Sequence, residues 1–222
     1  MKNSQKILNI VLMISILIGD ALFISIGGLI SKSIASGLFV LLGLVNLFYA
    51  LKFGTSQKKF TILMCIGLFF AMLGDILLEI IFVVGAGFFA IGHVFYFISY
   101  CTLLPFKPKD LIFSTVIFIP SLLVLLFVPV FDFGGVFMQC VCIAYALVIS
   151  LMVGKSISNY IQNKSILNLV VLIGSCLFFF SDFMLVFSVF ANISIVFSLL
   201  CLITYYPAEC ALAYSITKTQ KD

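Results

Sequence analysis

The sequence predicts an all-α, polytopic membrane protein: a bundle of eight transmembrane helices with both termini in the cytoplasm. Three observations carry this. Of 222 residues, 64% are hydrophobic and only 9% charged, with a mean hydropathy of +1.35, far from the balance of a soluble domain. The apolar residues gather in runs as long as a bilayer is thick, and a helix closes its backbone hydrogen bonds within such a run, whereas barrel strands would alternate. The charges fall mostly between the runs, with nearly all the positive ones on one side.

Taken in order, the spans are about 7–30, 34–51, 60–84, 87–104, 111–130, 135–153, 165–190 and 194–217. The first follows Lys2 and Lys6, as a signal peptide would, but its apolar region is too long for one and contains Asp20, so it reads as a retained helix. Lys52, Lys58 and Lys59 join the second span to the third, and a short uncharged turn at 84–87 makes the third and fourth antiparallel neighbours. Pro105 and Pro108, flanking Phe106 and Lys107, mark the sharpest break, between the fourth and fifth. Lys155 and Lys164 join the sixth to the seventh, and Lys218 and Lys221 follow the eighth. Almost nothing remains for a soluble domain, so residues 1–222 read as a single transmembrane domain.

All twelve basic residues are lysines, and eleven fall on one face of this topology, leaving Lys32 alone on the other. The positive-inside rule makes the rich face cytoplasmic, in the cell membrane. The net charge of +4 then describes that rim and gives no reason to expect a nucleic-acid partner. The seven cysteines lie within spans, at spacings that suit packing thiols and neither disulfides nor metal ligands. "IGLFFAMLGDILL" (66–78) and "IGSCLFFFSDFMLV" (173–186) both place Gly eight residues before Asp: Gly67 and Asp75, Gly174 and Asp182. A parallel four-plus-four duplication would produce this, and so would chance similarity among apolar helices.

Sorting the eight acidic residues separates two groups. Asp110, Asp132 and Asp222 lie at span ends, where solvation is cheap; Asp20, Asp75, Glu79, Asp182 and Glu209 lie within spans. A carboxylate at mid-helix costs about 2.5–3.5 kcal/mol on insertion scales, so such groups face a bundle interior or a wet cavity and have work there, unless a protonated or hydrogen-bonded acid is merely structural. At 1.5 Å per residue, Asp75, Asp182 and Asp20 lie about 13, 12 and 15 Å from the non-cytoplasmic ends of their helices. His93 is about 10 Å deep, with Tyr96 one turn further on its face. These groups share a layer, and Asp75 is expected to face His93. "TYYPAE" (204–209) brings Tyr205, Tyr206 and Glu209 toward Asp182, with Pro207 expected to kink the eighth helix. One histidine makes no zinc site, a carboxylate-rich site for a hard cation stays open, and no cofactor is called for.

"GDILL" (74–78), "GAGFFAIGHVFY" (85–96), "FFFSDFMLVF" (178–187) and "TYYPAE" (204–209), in that order and within eight spans, resemble the YhhN-like integral membrane proteins, which include the lysoplasmalogenases. The resemblance covers nearly the whole chain; where the family pattern has Gln after Ala in the last motif, this chain has Glu209. It implies a lysophospholipid substrate: hydrolysis of the vinyl-ether bond of a lysoplasmalogen to a fatty aldehyde and glycerophosphoethanolamine or glycerophosphocholine. It also implies that Asp75 and Asp182 are the catalytic pair.

Enol-ether hydrolysis suits such a pair on chemical grounds. Carbon is protonated, an oxocarbenium ion forms, and water attacks it, so one carboxyl must hold a proton and another must carry charge, much as in glycosidases. His93 and Tyr96 are expected to orient the pair or the water, while Asp20, Glu79, Tyr205, Tyr206 and Glu209 support it or meet the headgroup. The residues alone fit two other readings, a proton-coupled transporter of a small or lipid-like substrate and a non-catalytic scaffold embedded in membrane lipids. They leave the oligomeric state open.

Overall fold

A computed structural model describes residues 3–191 and 195–220. Lys2, Lys221, Asp222 and residue 194 of the eighth predicted span lie outside them. Eight helices follow one another: α1 (Asn3–Ile26), α2 (Leu29–Phe53), α3 (Lys58–Leu78), α4 (Phe82–Leu103), α5 (Asp110–Phe127), α6 (Val136–Gln162), α7 (Ile166–Phe190) and α8 (Ile195–Ser215), with a 3-10 turn at Ile216–Thr219. All eight are long and apolar enough to cross a membrane. Large apolar side chains cover the outside, such as Ile7, Ile14 and Ile18 on α1 and Ile112 and Val116 on α5, while Gln5, Asn46, Asn159 and His93 are buried. That inversion is what a lipid solvent selects.

Helices α1, α2, α3, α4, α6, α7 and α8 close into a ring, with α8 also touching α2 and α3, while α5 leans on α6 from outside. The tightest joint is α3 on α4. A methyl group added at Gly74 would sit 2.7 Å from the Phe89 ring, and one added at Gly67 would strike the Tyr96 ring. Gly174 makes the matching close approach of α7 to Leu212 of α8, so the two glycines that share a sequence motif share a packing task.

The helix ends correct several expectations. The chain turns at Gly27 and Gly28, both with positive φ (70° and 92°), a conformation that glycine adopts without strain, so the first span stops short of residue 30. Lys32 therefore belongs to the first turns of α2 and is buried, 6% exposed. Helix α3 ends at Leu78, which makes Glu79 the capping residue of a turn and no longer a mid-helix acid. Helix α6 continues to Gln162, so Lys155 lies inside the helix and is fully buried, not in a rim loop. Asp110, expected to be solvated at a span end, is 1% exposed and forms a 2.7 Å ion pair with that lysine. Hydropathy windows place helix ends by composition, and a buried ion pair escapes them because each partner sits on a different helix.

Candidate active site

Asp75 occupies the last turn of α3 and accepts from three sides. The Ser36 hydroxyl of α2 donates to Oδ2 in a short hydrogen bond, the Tyr206 hydroxyl of α8 donates to the same oxygen at 3.1 Å, and Lys32 Nζ stands 3.1 Å from Oδ1. Ser36 follows Lys32 by one helical turn, so one face of α2 supplies both partners. Lys32 also reaches Glu79 Oε1 at 2.8 Å.

Asp182, on α7, has a different surrounding. Its Oδ2 accepts from the Tyr145 hydroxyl of α6 at 2.6 Å and lies 3.3 Å from His93 Nε2 of α4. Nε2 is also 2.7 Å from the Tyr145 oxygen. Tyr145 has one hydroxyl hydrogen and gives it to Asp182, so the network assigns the imidazole hydrogen to Nε2, donating toward both oxygens. Nδ1 is buried and without a hydrogen-bond partner, consistent with its being the bare nitrogen. The expectation that Asp75 faces His93 is thus corrected. His93 belongs to Asp182, because α4 packs on α6 as well as on α3 and presents the imidazole to the α6 and α7 side.

The two aspartates nevertheless share one space. A cavity of about 310 Å³ is lined by both, together with Lys32, Glu79, Phe23, Phe89 and Tyr205. Its far rim carries Ser188 and Ser198, whose hydroxyls are 2.5 Å apart across α7 and α8. Phe89, Phe178 and Tyr205 pack edge to face, at centroid separations of 5.3–6.0 Å, and form an aromatic floor. A smaller apolar pocket, between Phe82, Ala86, Cys142 and Val186, meets the same Asp182 and Tyr145 from the α4 and α6 side.

Of the remaining expected residues, Glu79 and Tyr205 line this cavity, and Tyr206, Tyr96, Glu209 and Asp20 stand off its wall. Glu79 lines it, with its side chain 40% exposed. Tyr205 lines it too, and its hydroxyl makes no hydrogen bond. Tyr206 braces Asp75 and is fully buried. Tyr96 does not orient either aspartate; it donates to Glu209 Oε2 at 2.9 Å in a fully buried pair whose Oε1 has no partner. Asp20 is buried in α1 beside the Gly19 contact with Ala35, close enough to Asp75 and Tyr206 to interact electrostatically, but off the cavity wall.

Sequence reasoning missed Lys32, Ser36 and Tyr145 as site residues. The i, i+4 spacing of Lys32 and Ser36 was a usable signal; the pairing of Tyr145 with His93 depends on the α4 to α6 contact, which no sequence spacing announces.

No curated protein and no solved structure matches this chain. A family model does, over residues 32–216, a stretch that holds both aspartates, His93, Lys32, Tyr145 and every other residue described at the cavity except Phe23. The chain belongs to the YhhN family, whose known activity is that of a lysoplasmalogenase.

Proposed function

We infer that this protein is a lysoplasmalogenase, hydrolysing the vinyl ether of a lysoplasmalogen within the cell membrane, with both termini in the cytoplasm and the cavity in the opposite half of the bilayer. One observation carries the reading: two aspartates on separate helices meet at a single cavity, one held by an ammonium and the other by a phenol and an imidazole. An acyl-transfer site would want a nucleophile beside a base. Here the residues are arranged for a proton and a cation.

The environments divide the labour. Asp75, with Lys32 at 3.1 Å, is the carboxylate. Asp182 uses only Oδ2 for its contacts with Tyr145 and His93, which leaves Oδ1 to deliver a proton. The proton passes to the β-carbon of the vinyl ether, and the electron pair of the double bond forms the new C–H bond. The ether oxygen shares the resulting positive charge as an oxocarbenium ion, which the Asp75 carboxylate stabilises. Tyr145 and the Nε2–H of His93 stabilise the carboxylate left on Asp182. Water then adds to the cationic carbon and loses its proton to a carboxylate, and the hemiacetal collapses to aldehyde and free glycerol hydroxyl. One water is consumed: the proton it loses restores the acid, and on collapse the hemiacetal hydroxyl proton passes by way of a carboxylate to the leaving glycerol oxygen, so that no net proton is gained or lost. The aromatic floor and the apolar side pocket suit the hydrocarbon chain.

The test is aldehyde release from a lysoplasmalogen by protein purified into nanodiscs, with Asp75→Asn and Asp182→Asn in parallel. Activity in the wild type and loss by at least a hundredfold in both variants is expected. Substantial turnover by either variant would remove the two-acid mechanism, and an inactive wild type with intact fold would turn attention to transport, tested by flux with the same variants.

A further inference from the structure

The mechanism gives Lys32 the task of holding Asp75, but it gives Glu79 none. Lys32 Nζ has three hydrogens to donate. Asp75 Oδ1 is at 3.1 Å and Glu79 Oε1 at 2.8 Å, and the Phe23 ring lies 5.1 Å from the nitrogen. The two ionic arms differ in exposure. The side chains of Lys32 and Asp75 are 8% and 4% exposed, whereas that of Glu79 is 40% exposed. Water competes for the Glu79 carboxylate, so this arm is the weaker despite its shorter distance. Glu79 sits at the end of α3 on a turn, free of the helical ladder that fixes Asp75.

Opening that arm would leave a cation and an anion side by side in the cavity wall, with the cation still tied to Asp75. The chemical complement of this pair is a zwitterion. A phosphodiester oxygen takes the place of the Glu79 carboxylate on Lys32, and an amine two carbons further on takes the place of Lys32 on Glu79. The ligand returns both charges that the opened bridge loses. A bare phosphate monoester returns only one and crowds Glu79 with further negative charge, and an uncharged glycerol returns neither.

We propose that the Lys32–Glu79 bridge is a headgroup clamp: it opens onto a zwitterionic phospho-amine headgroup, Lys32 taking the phosphate and Glu79 the amine. The assignment rests on the lysophospholipid reading of the same cavity and specifies how that substrate is recognised. Phe23 offers its ring face to the same amine. Because Lys32 keeps its bond to Asp75, seating of the phosphate fixes the distance from the headgroup to the catalytic carboxylate.

Two substrates with the same alkenyl chain test the clamp, one ending in phosphoethanolamine and the other in phosphate alone. For the wild type, kcat/KM favours the phosphoethanolamine form. Glu79→Gln keeps the shape of the side chain but removes its charge; it lowers that preference tenfold or more, chiefly through KM, and improves use of the phosphate form, since nothing then competes for Lys32. Equal effects on both substrates, or none, overturn the clamp. Binding of the two corresponding non-cleavable alkyl-ether lipids, measured calorimetrically, separates this proposal from the hydrolase reading. A preference for the phosphoethanolamine lipid that depends on Glu79, in a protein that releases no aldehyde, sustains the clamp and sinks the hydrolase. The absence of such a preference sinks the clamp whatever the activity.

Discussion

Among the described residues this bundle buries two lysine–aspartate pairs, one toward each end, and their surroundings differ. At one end Lys155 and Asp110 are 0% and 1% exposed. The ammonium donates to Asp110 at 2.7 Å and to the Pro105 carbonyl at 3.2 Å, while Asp110 also accepts from the Ser158 hydroxyl and the Lys107 backbone N–H. None of the cavities described above reaches either residue. At the other end Lys32 and Asp75 border about 310 Å³ of open space, share a half-exposed third partner in Glu79, and face a second aspartate. The first pair is a joint that ties the α4–α5 link and α5 to α6. The second borders the candidate site. A buried ion pair by itself therefore does not mark function; adjoining space and a solvent-reachable partner do.

The largest expected effect separates the pairs by what they break. Asp75→Asn removes the carboxylate but keeps one carbonyl oxygen, which can accept from both Ser36 and Tyr206, and Lys32 still has Glu79. It should lower kcat by about 10²–10⁴-fold, as loss of a catalytic carboxyl does, with little change in thermal midpoint. Asp110→Asn should do the reverse. Lys155 would be left fully buried without a counter-ion, at a cost of about 3–5 kcal/mol, while the aldehyde released per folded molecule stays at the wild-type level. Unfolding of detergent-solubilised protein followed by circular dichroism, beside the aldehyde assay, reads both halves. A pair of variants that lose activity and stability together would erase the distinction.

That distinction was only half visible in the sequence. Eight spans were legible because a helix in lipid must be apolar for its whole length, and Asp75, Asp182 and His93 stood out because charge within such a run is costly. Both aspartates do line one cavity, and Glu79 joins them. What hydropathy hides is which faces meet. Lys155 and Asp110 looked like rim residues because the apolar runs stop near them, yet α6 extends two turns beyond the run, and the two charges cancel inside the bundle. His93 was assigned to Asp75 because their helices are adjacent in the chain; the α4 to α6 contact, between helices not adjacent in sequence, delivers it to Asp182.

A smaller effect sharpens the site side of the comparison. Tyr145 donates to Asp182 at 2.6 Å and is itself approached by His93. Tyr145→Phe removes a hydrogen bond to the group that becomes charged in the proposed reaction. Such bonds contribute about 1.5–3 kcal/mol, so kcat should fall roughly 10–100-fold. The ring and its edge-to-face contact with His93 remain, so KM and folding should hardly move. If Tyr145→Phe is silent while the Asp182→Asn variant is dead, His93 alone supports the acid.

The smallest expected effect tests the joint. Replacing both members of the closed pair, Asp110→Leu with Lys155→Met, removes the two desolvated charges along with their attraction. Exchanging a buried pair for apolar residues of similar size is commonly neutral or stabilising, so stability should stay within about 1 kcal/mol of the wild type even though Asp110→Asn alone is severe. Ser158 can still turn its hydroxyl to a backbone carbonyl one helical turn back, while the Lys107 N–H and Pro105 carbonyl lie at the helix boundary, where water or lipid headgroups can satisfy them. The same exchange at Asp75 and Lys32 should also fold, yet release no aldehyde. A double variant as unstable as the single one would mean that the pair fixes the register of α5, whose backbone among the described residues comes closest to α6.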